Sequence, residues 1–352
     1  MGLIYPNDLE AWSRWQANAH LLRRAKLKLT SLRTGTQAAE GQEAQQGYLH
    51  LGPEAAKLLF VLDSFSPTSL ASLLKPAGYL EQLPYAFWAP EDMTSQFLGE
   101  GWSVKPCNEF DLELALPQVQ QVLALGHYMA LGAAAYRFAD RRGLRFVTIQ
   151  HGLHTPYAPP LAPGSHLLAF SQADADFWIS GREDISYEVV GSQLFWEAAQ
   201  KPPLEGVDPQ AQPVFLGQMH GAELPRLSYA QAGYRFCKDQ QARYRPHPQE
   251  KDILSRLTHS LWGKMGIDLD SGEQPLNQVT SPVVSIFSTG VLEAALRGVP
   301  SWVYHPNPPT WVTDFWERYG MNQWGQDPTP APQVPEKAPA LAIAHYLEET
   351  TV

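Results

Sequence analysis

Short apolar runs alternate with helical patterns along most of this sequence, and this alternation constrains the fold more than any other feature. The run Lys57–Phe65 is apolar until Asp63 and Ser64, which is typical of a strand buried on both faces of a parallel sheet. From Val119 a strand, a small-residue helix and another strand follow in order and end at Ile149. Parallel strands joined by helices require right-handed crossovers, so the pattern predicts a doubly wound α/β fold.

The proline-rich segment Lys201–Gln212 interrupts this alternation and predicts a linker. We expect one Rossmann-like domain over residues 1–200, a second over 213–330, and a closing C-terminal helix within 331–352. The second domain has four predicted strands, at Val214–Leu216, Ala242–Arg245, Pro282–Phe287 and Ser301–Tyr304. The sequence therefore predicts two Rossmann-like domains whose parallel sheets face a cleft.

Charge and cysteine content argue against several classes of protein. The chain has 36 Asp and Glu against 26 Lys and Arg, and its net charge of −10 argues against binding along a nucleic-acid backbone. Its two cysteines, Cys107 and Cys237, supply neither a disulfide framework nor a zinc ligand set. The sequence shows no signal-peptide pattern and no apolar window long enough to span a membrane, so we expect a cytoplasmic protein.

A basic helix is predicted near the amino terminus, from Asp8 to about Leu32. Its second half mixes apolar positions with the basic residues Arg23, Arg24, Lys26, Lys28 and Arg33. Such a helix can bind an anionic membrane surface, which would place the protein at the inner face of the membrane. The alternative is a helix that packs on its own domain and leaves its cations in solvent.

Three polar groups follow predicted strands, where open parallel sheets bind their ligands. They are Gln150-His151-Gly152, Arg245-Pro246-His247-Pro248, and Ser288-Thr289-Gly290 with Glu293. In the third group, backbone amides and two hydroxyls converge at a helix start, which favours phosphate. An ordinary N-cap is the alternative for Ser288 or Thr289. Glu293 would accept hydrogen bonds from ribose hydroxyls, or be a surface carboxylate.

His247 lies between Pro246 and Pro248, which stiffen the backbone that presents its ring. An imidazole with a reference pKa of about 6.5 can donate a hydrogen bond to a phosphate oxygen. Arg245 is the predicted second donor, and Glu250 is expected to cap the following helix. The alternative for His247 is a loop histidine without a role.

His151 precedes Gly152, a residue that permits close backbone approach. It belongs to the first domain, where we expect it to remove the proton from an acceptor hydroxyl as general base. A structural histidine at a strand end is the alternative. Gln150, Gly152 and Trp311 are predicted acceptor or cleft residues.

In order, spacing and strand-end placement, these three groups resemble the motifs of bacterial GT-B glycosyltransferases that use cytidine-activated donors. Transferases of CDP-glycerol and CDP-ribitol carry a His-Gly, an Arg-x-His-Pro and a Ser/Thr pair followed by Glu. Transferases of CMP-sialic acid and CMP-Kdo share the His-Pro and Ser/Thr elements, matched here by His247-Pro248 and Ser288-Thr289. The resemblance covers about Val119–Pro306 and implies a GT-B fold in which His247, Ser288 and Thr289 bind the donor phosphate.

The sequence lacks the Asp/Glu-Asp/Glu-Gly triplet that supplies the base in many sialyltransferases. The predicted base is therefore His151 or an unmatched carboxylate such as Asp63. The predicted function is transfer of a sugar, of the Kdo or sialic acid type, from a CMP-activated donor to a hydroxyl of a surface glycan or glycolipid. We expect neither a cofactor nor a metal.

Three alternative functions remain open at the level of sequence: a CDP-polyol phosphotransferase, an enzyme similar to UDP-GlcNAc 2-epimerases, and a non-catalytic protein that binds nucleotide or glycan. Two Asp-x-Asp patterns, at residues 174–176 and 268–270, match the motif of metal-dependent glycosyltransferases. Neither follows a convincing strand, so no metal site is predicted. The oligomeric state is left open.

Overall fold

A computed structural model describes residues 2–19, 45–272 and 274–351. The chain divides into two compact units, one of Gly2–Leu194 with Pro335–Val352 and one of Phe195–Val334. The boundary falls ahead of the predicted linker at 201–212, and the last helix belongs to the first unit. The cations predicted to contact a membrane, from Arg23 to Arg33, lie outside the described residues.

An eight-stranded sheet forms the centre of the first unit. Its strands are β1 (Gln46–Leu51), β2 (Leu58–Val61), β3 (Tyr85–Ala89), β4 (Ser103–Asn108), β5 (Gln121–Ala124), β6 (Arg145–Ile149), β7 (His166–Ala169) and β8 (Ser186–Val189). The order is β4-β1-β3-β2-β5-β6-β7-β8. The six neighbouring strands β3-β2-β5-β6-β7-β8 are parallel to one another. Strand β1 pairs antiparallel with both β3 and β4, and its Leu49 lies opposite Trp88 of β3. The first sheet is therefore mixed instead of wholly parallel.

The second unit contains a four-stranded sheet in which all strands are parallel. Its strands are β9 (Val214–Leu216), β10 (Arg243–Arg245), β11 (Val283–Ser285) and β12 (Ser301–Val303), in the order β10-β9-β11-β12. All four lie within the predicted strands. Leu269 forms a parallel bridge with Tyr244, so residues 268–270 extend the sheet beyond β10.

Helices connect the strands. They are α1 (Leu9–Ala19), α2 (Pro67–Ser69), a π turn (Leu70–Leu74), α3 (Lys75–Ala77), α4 (Thr94–Phe97), α5 (Asp111–Ala115), α6 (Ala130–Arg142), α7 (Gln172–Ile179), α8 (Gln193–Ala199), α9 (Arg226–Asp239), α10 (Ile253–Lys264), a 3-10 turn (Leu276–Gln278), α11 (Gly290–Leu296), α12 (Thr310–Arg318) and α13 (Pro339–Thr350). Local signals set their ends. The Ser171 hydroxyl accepts a hydrogen bond from the Asp174 amide at the start of α7, and α6 ends at Gly143, whose φ of 62° suits glycine.

Helices cover both faces of the first sheet, which explains why its central strands read as continuous apolar runs. Leu59 and Val61 of β2 pack in one buried cluster with Phe138 of α6, and Leu58 and Phe60 pack in another with residues of α13. Successive residues of a strand point to opposite faces, so both sets are buried only when both faces are covered. This packing is why the C-terminal helix belongs to the first unit.

Each sheet has a topological switch point, where ligand crevices form in open α/β sheets. In the first sheet, β2 has β3 on one side and β5 on the other. In the second sheet, β9 lies between β10 and β11. The segments that follow these four parallel strands therefore hold the first candidates for a site.

We expect Gly132→Ala to destabilise the protein, although alanine usually stabilises a helix. A Cβ at this position would overlap the carbonyl oxygen of Gly126 and lie 3.1 Å from Asp63 Oδ2. The loss in unfolding free energy should reach about 3 kcal/mol because backbone must move. Gly263→Ala in α10 is the matched control, since its Cβ would meet only Leu269, at 3.8 Å. Gly263→Ala should raise the unfolding free energy, measured by urea denaturation, by about 0.5–1 kcal/mol. Equal effects of the two substitutions would contradict the close packing at Gly132.

Candidate functional site

Two stacked histidines stand at the carboxyl edge of the second sheet. His220 lies in the loop after β9 and His247 follows β10, and their rings are 3.8 Å apart and nearly parallel, at 16°. The His247 Nδ1 atom accepts a hydrogen bond from the Gln249 amide, so Nε2 carries the proton in the neutral ring. Burial lowers the pKa of His247, and the charge of Glu250 opposes that shift. The pair therefore presents a neutral N–H donor at the sheet edge.

A buried carboxylate, Glu250, holds the segments that carry these histidines. Its Oε1 accepts a hydrogen bond from the Met219 amide at 2.9 Å, and its Oε2 accepts from the Tyr244 hydroxyl at 3.0 Å. His259 Nε2 lies 2.9 Å from the same Oε2. The expectation that Glu250 caps α10 is wrong, because Asp252 accepts the Ser255 amide and caps that helix. Glu250 instead joins the β9 loop to β10 and α10.

Gln218 lies at the switch point of the second sheet. Its Oε1 accepts hydrogen bonds from the Ser285 hydroxyl at 2.9 Å and from the Phe287 amide at 3.1 Å. These bonds tie the segment after β9 to the segment after β11. They position the loop of Ser288 beside the loop of His220.

The Ser288 group lies where the sequence predicts it, between β11 and α11. Ser288 Oγ accepts a hydrogen bond from the Gly290 amide at 3.2 Å, as a local cap would. Gly290 is buried, and a Cβ there would lie 2.8 Å from the side chain of Leu216, so the start of the helix packs closely on the sheet. Thr289 is the N-cap residue of α11, but its side chain makes no capping hydrogen bond and is bonded to Glu293 instead. Burial raises the pKa of Glu293, and the bond to Thr289 opposes this shift.

The Arg245 side chain contacts residues 270 and 274 of the segment that follows α10. Its Nη2 donates to the Gln274 carbonyl at 2.5 Å, and its Nη1 lies 3.8 Å from Asp270 Oδ1. Arg243 lies 3.9 Å from the other oxygen of Asp270. Alternate residues of a strand share a face, so both arginines of β10 reach the carboxylate on the neighbouring segment. The structure therefore gives Arg245 an ion pair with Asp270, and its role as second phosphate donor stays a prediction.

Trp311, a predicted acceptor or cleft residue, lies in the first turn of α12. Its ring is 5.4 Å from that of Phe287, the residue before Ser288, and it is half-buried. Pro248 is exposed next to His247. Trp311 thus neighbours the Ser288 loop and Pro248 neighbours the histidine stack.

In the first unit, Asp63 lies at the switch point between β2 and β5. Its carboxylate accepts hydrogen bonds from the amides of Leu131 at 2.7 Å and Gly132 at 3.1 Å, in the first turn of α6. Burial raises the pKa of Asp63 to about 6, and these two amides oppose the shift. The carboxylate predicted as an alternative base therefore stabilises the start of a helix.

The raised pKa of Asp63 should make stability depend on pH. An unfolded aspartate titrates at about 3.9, so the folded protein holds this proton more tightly and loses stability as the pH rises from about 4 to 6. In the wild type this loss of unfolding free energy is as much as about 3 kcal/mol. Asp63→Asn should not show it, because asparagine does not titrate. Urea denaturation at pH 4 and pH 7 measures it. The unfolding free energy of the wild type, relative to that of the variant, should be lower at pH 7 than at pH 4. The same difference at both pH values would contradict the raised pKa.

His151 follows β6, next to the switch-point strand β5. Burial lowers its pKa to about 4, so the ring is neutral at neutral pH. Its Nδ1 atom is buried and has no hydrogen-bond partner among the described residues. A Cβ at Gly152 would meet nothing within 4 Å, so the backbone beside His151 borders open space and does not itself require glycine. His151 therefore has a buried ring nitrogen without a hydrogen-bond partner among the described residues.

Gln150 is placed as a structural residue and not as an acceptor contact, because its side chain is fully buried and engaged. Its Nε2 donates to the Gly152 carbonyl and to Asp174 Oδ1, and its Oε1 accepts from the Phe170 amide at 2.8 Å. Asp174, from the first Asp-x-Asp pattern, also accepts from the Ser171 hydroxyl. This network fixes the ends of β6 and β7.

The structure brings together only part of the predicted site within each unit. His247 and the Ser288 group share the carboxyl edge of the second sheet, while His220, Gln218 and the buried role of Glu250 were not foreseen. The signal for Gln218 and His220 was available in principle, since both follow the predicted strand Val214–Leu216. Within residues 2–19, 45–272 and 274–351, no three His, Cys, Asp or Glu side chains form a metal-binding group. No helix in the same ranges is long and apolar enough to cross a membrane.

No protein-family model matches the sequence, and no curated protein matches it. Among solved structures, UDP-GlcNAc 2-epimerase of Methanocaldococcus jannaschii, in complex with UDP-GlcNAc and UDP, is similar over 83% of this chain and 99% of its own. The TM-score is 0.51 at 11% sequence identity. This chain shares that α/β fold. The prediction of an α/β chain with two Rossmann-like halves is confirmed.

Two further solved structures are similar at lower scores. One is Anabaena HepE in complex with UDP, with a TM-score of 0.43, 14% identity, and coverage of 82% of this chain and 95% of that one. The other is a β-Kdo 2,4-transferase of Thermosulfurimonas dismutans, with a TM-score of 0.33, 10% identity, and coverage of 83% and 91%.

Proposed function

We propose that this chain is a metal-independent glycosyltransferase that transfers a sugar from a cytidine-activated donor to a hydroxyl acceptor. The observation that carries this proposal is the stacked pair of His220 and His247 at the carboxyl edge of the second sheet. It stands at the position of the His-Pro element in the families that the sequence resembles. An edge of parallel strands is where nucleotides bind in open α/β sheets.

The second unit would bind the donor. His247 Nε2–H would donate to a phosphate oxygen, and the hydroxyl of Ser288 would donate to another. Glu293 would accept hydrogen bonds from the ribose. As the bond to the sugar breaks, negative charge grows on the departing nucleotide, and donors that are already oriented stabilise it without reorganisation.

His151 is the proposed general base. Of the two predicted bases, His151 suits the role better than Asp63, because Asp63 is occupied by two amides whereas His151 has an unpartnered nitrogen. The His151 ring would accept the proton of the acceptor hydroxyl as the new glycosidic bond forms. Burial lowers the pKa of His151 to about 4, so the resting ring is unprotonated.

No metal is needed in this scheme, and both Asp-x-Asp pairs have structural partners. Asp270 is paired with Arg243 and Arg245, and Asp174 is bonded to Gln150 and Ser171. The donor sugar is proposed to be an ulosonic acid of the Kdo or sialic type, on the resemblance of the His-Pro and Ser/Thr elements alone. The acceptor would be a glycan or glycolipid.

A second candidate is an epimerase of UDP sugars, because the fold with a TM-score of 0.51 is that of UDP-GlcNAc 2-epimerase. Fold likeness at 11% identity is weaker support than the site, since one fold serves many activities. The two candidates differ in what they require. A transferase needs an acceptor and releases a nucleotide, whereas an epimerase converts a nucleotide sugar without either.

The test incubates the protein with EDTA and one donor at a time: CMP-Kdo, CMP-sialic acid, CDP-glycerol, CDP-ribitol or UDP-GlcNAc. Each donor is offered with and without a lipopolysaccharide or capsule-type glycan, and nucleotide release and product mass are followed. We expect acceptor-dependent release of CMP in the presence of EDTA. Isomerisation of UDP-GlcNAc without acceptor would establish the epimerase instead, and no turnover of any donor would contradict both.

A further inference from the structure

Helix α10 in the second unit carries an apolar stripe on its outer face. Its members, all between 41% and 64% exposed, are Ile253, Leu254, Leu257, Leu261 and the C-cap residue Met265. Four of them recur every four residues, which aligns them along one side of a helix. Five exposed large apolar side chains on one short helix are an unusual surface for a soluble domain, where such residues are normally scattered.

The stripe is not the packing face of the helix. Ser255 and Trp262 are the buried residues of α10, and the Trp262 ring packs edge-on against Tyr244 at 4.9 Å. His259, on the same side, contacts the Glu250 carboxylate. The rotation of α10 is therefore fixed by its inner face, and the outer stripe has no use in the core of this unit.

The charges around the stripe are positive. The sequence of α10 contains Arg256 and Lys264 and no acidic residue, and Lys251 is exposed just ahead of it. Asp252, which caps the helix, lies 3.4 Å from Arg226 and is neutralised there. In a chain with ten more acidic than basic residues, this acid-free amphipathic helix is a local exception.

We propose that the outer face of α10 binds the surface of a membrane that contains anionic lipid. A helix that lies in the interface inserts its apolar residues among the acyl chains and leaves its cations at the headgroups, which matches the stripe and its flanking charges. Membrane attraction acts within about a Debye length, roughly 10 Å, so the local cations outweigh distant acidic residues. The inference goes beyond the proposed transferase activity and does not depend on it.

A second copy of the chain fits this face less well. A 12-residue helix is about 18 Å long. A stable protein interface takes about 20–30 residues from each partner, whereas the stripe has five. A bilayer sets no such minimum, because each side chain inserts independently.

The test is co-sedimentation of the full-length protein with vesicles of phosphatidylcholine alone or with 30% phosphatidylglycerol, a composition chosen as the probe. We expect binding to the anionic vesicles that falls at least about tenfold in Leu257→Glu/Leu261→Glu and in Arg256→Glu/Lys264→Glu. Both pairs of residues are exposed, so the variants should fold. Leu114→Glu is the control, since Leu114 is 89% exposed in α5 of the first unit.

Arg23→Glu/Arg24→Glu separates this surface from the basic segment predicted near the amino terminus. Full binding by the α10 variants would overturn the proposal, as would loss of binding only in the Arg23 variant. Absence of any binding by the wild type would overturn it as well. So would a wild-type dimer, seen by light scattering, that Leu257→Glu/Leu261→Glu converts to a monomer, because the stripe would then be a protein interface.

Discussion

Glu250→Ala is expected to lower the unfolding free energy by about 3–5 kcal/mol, the largest stability effect that the structure indicates. The carboxylate is buried and is bonded to the Met219 amide, the Tyr244 hydroxyl and His259. Its removal leaves two buried donors without an acceptor and opens a cavity among three segments. Thermal or urea denaturation of the purified variant measures the loss.

Two milder variants separate the network from simple loss of volume. Tyr244→Phe removes one hydrogen bond to Glu250 and should cost about 1 kcal/mol. Glu250→Gln keeps the volume but gives up one acceptor oxygen, so it should fall between the other two. A loss below about 1 kcal/mol in Glu250→Ala would show that the carboxylate does not hold the β9 loop.

His247→Ala is expected to lower the rate of nucleotide release in the transfer assay by about 10²–10³, because it removes an oriented donor from the departing phosphate. The protein should remain folded, since His247 lies in a half-buried loop and not in the core. His220→Phe keeps an aromatic ring against His247 and should lose less activity. The kinetics of nucleotide release measure both effects.

The control for this prediction is another histidine of the chain. His345 is exposed on α13 in the first unit, and His345→Ala should leave the rate unchanged. Equal activity of His247→Ala and the wild type would contradict a role of the stacked histidines in binding the donor. A parallel loss of stability in His247→Ala would mean that the ring serves the fold.

The alternating pattern predicts most of the fold because the central strands are buried on both faces. All four strands of the second sheet and the strands β2, β5 and β6 lie at the predicted positions or within a few residues of them. The antiparallel edge was missed. Strand β4 contains Lys105 and Pro106 and is mostly exposed, and β1 alternates buried and exposed residues, so neither shows a continuous apolar run.

The site was harder to predict than the fold, because its residues depend on partners that are distant in sequence. His247 and Ser288 follow strands, and that local signal was sufficient to find them. The sequence does not show that Asp270 lies 3.8 Å from Arg245. Gln150 looks like a cleft residue until its contacts with Asp174 and Phe170 are known. Hydrogen-bond partners, and not residue type, decide between the two roles.

In the proposed function, the carboxyl edge of the second sheet, at His220 and His247, binds a cytidine nucleotide. The most direct measurement is the melting temperature of the wild type, His247→Ala and His345→Ala with CMP, CDP, UMP, UDP, GDP and AMP. A ligand that binds only the folded state adds about 2.7 kcal/mol of stability at one hundred times its dissociation constant, which corresponds to a rise of several degrees. We predict this rise with CMP or CDP in the wild type and His345→Ala but not in His247→Ala. A rise with UDP alone, an undiminished rise in His247→Ala, or no rise with any nucleotide would contradict the claim.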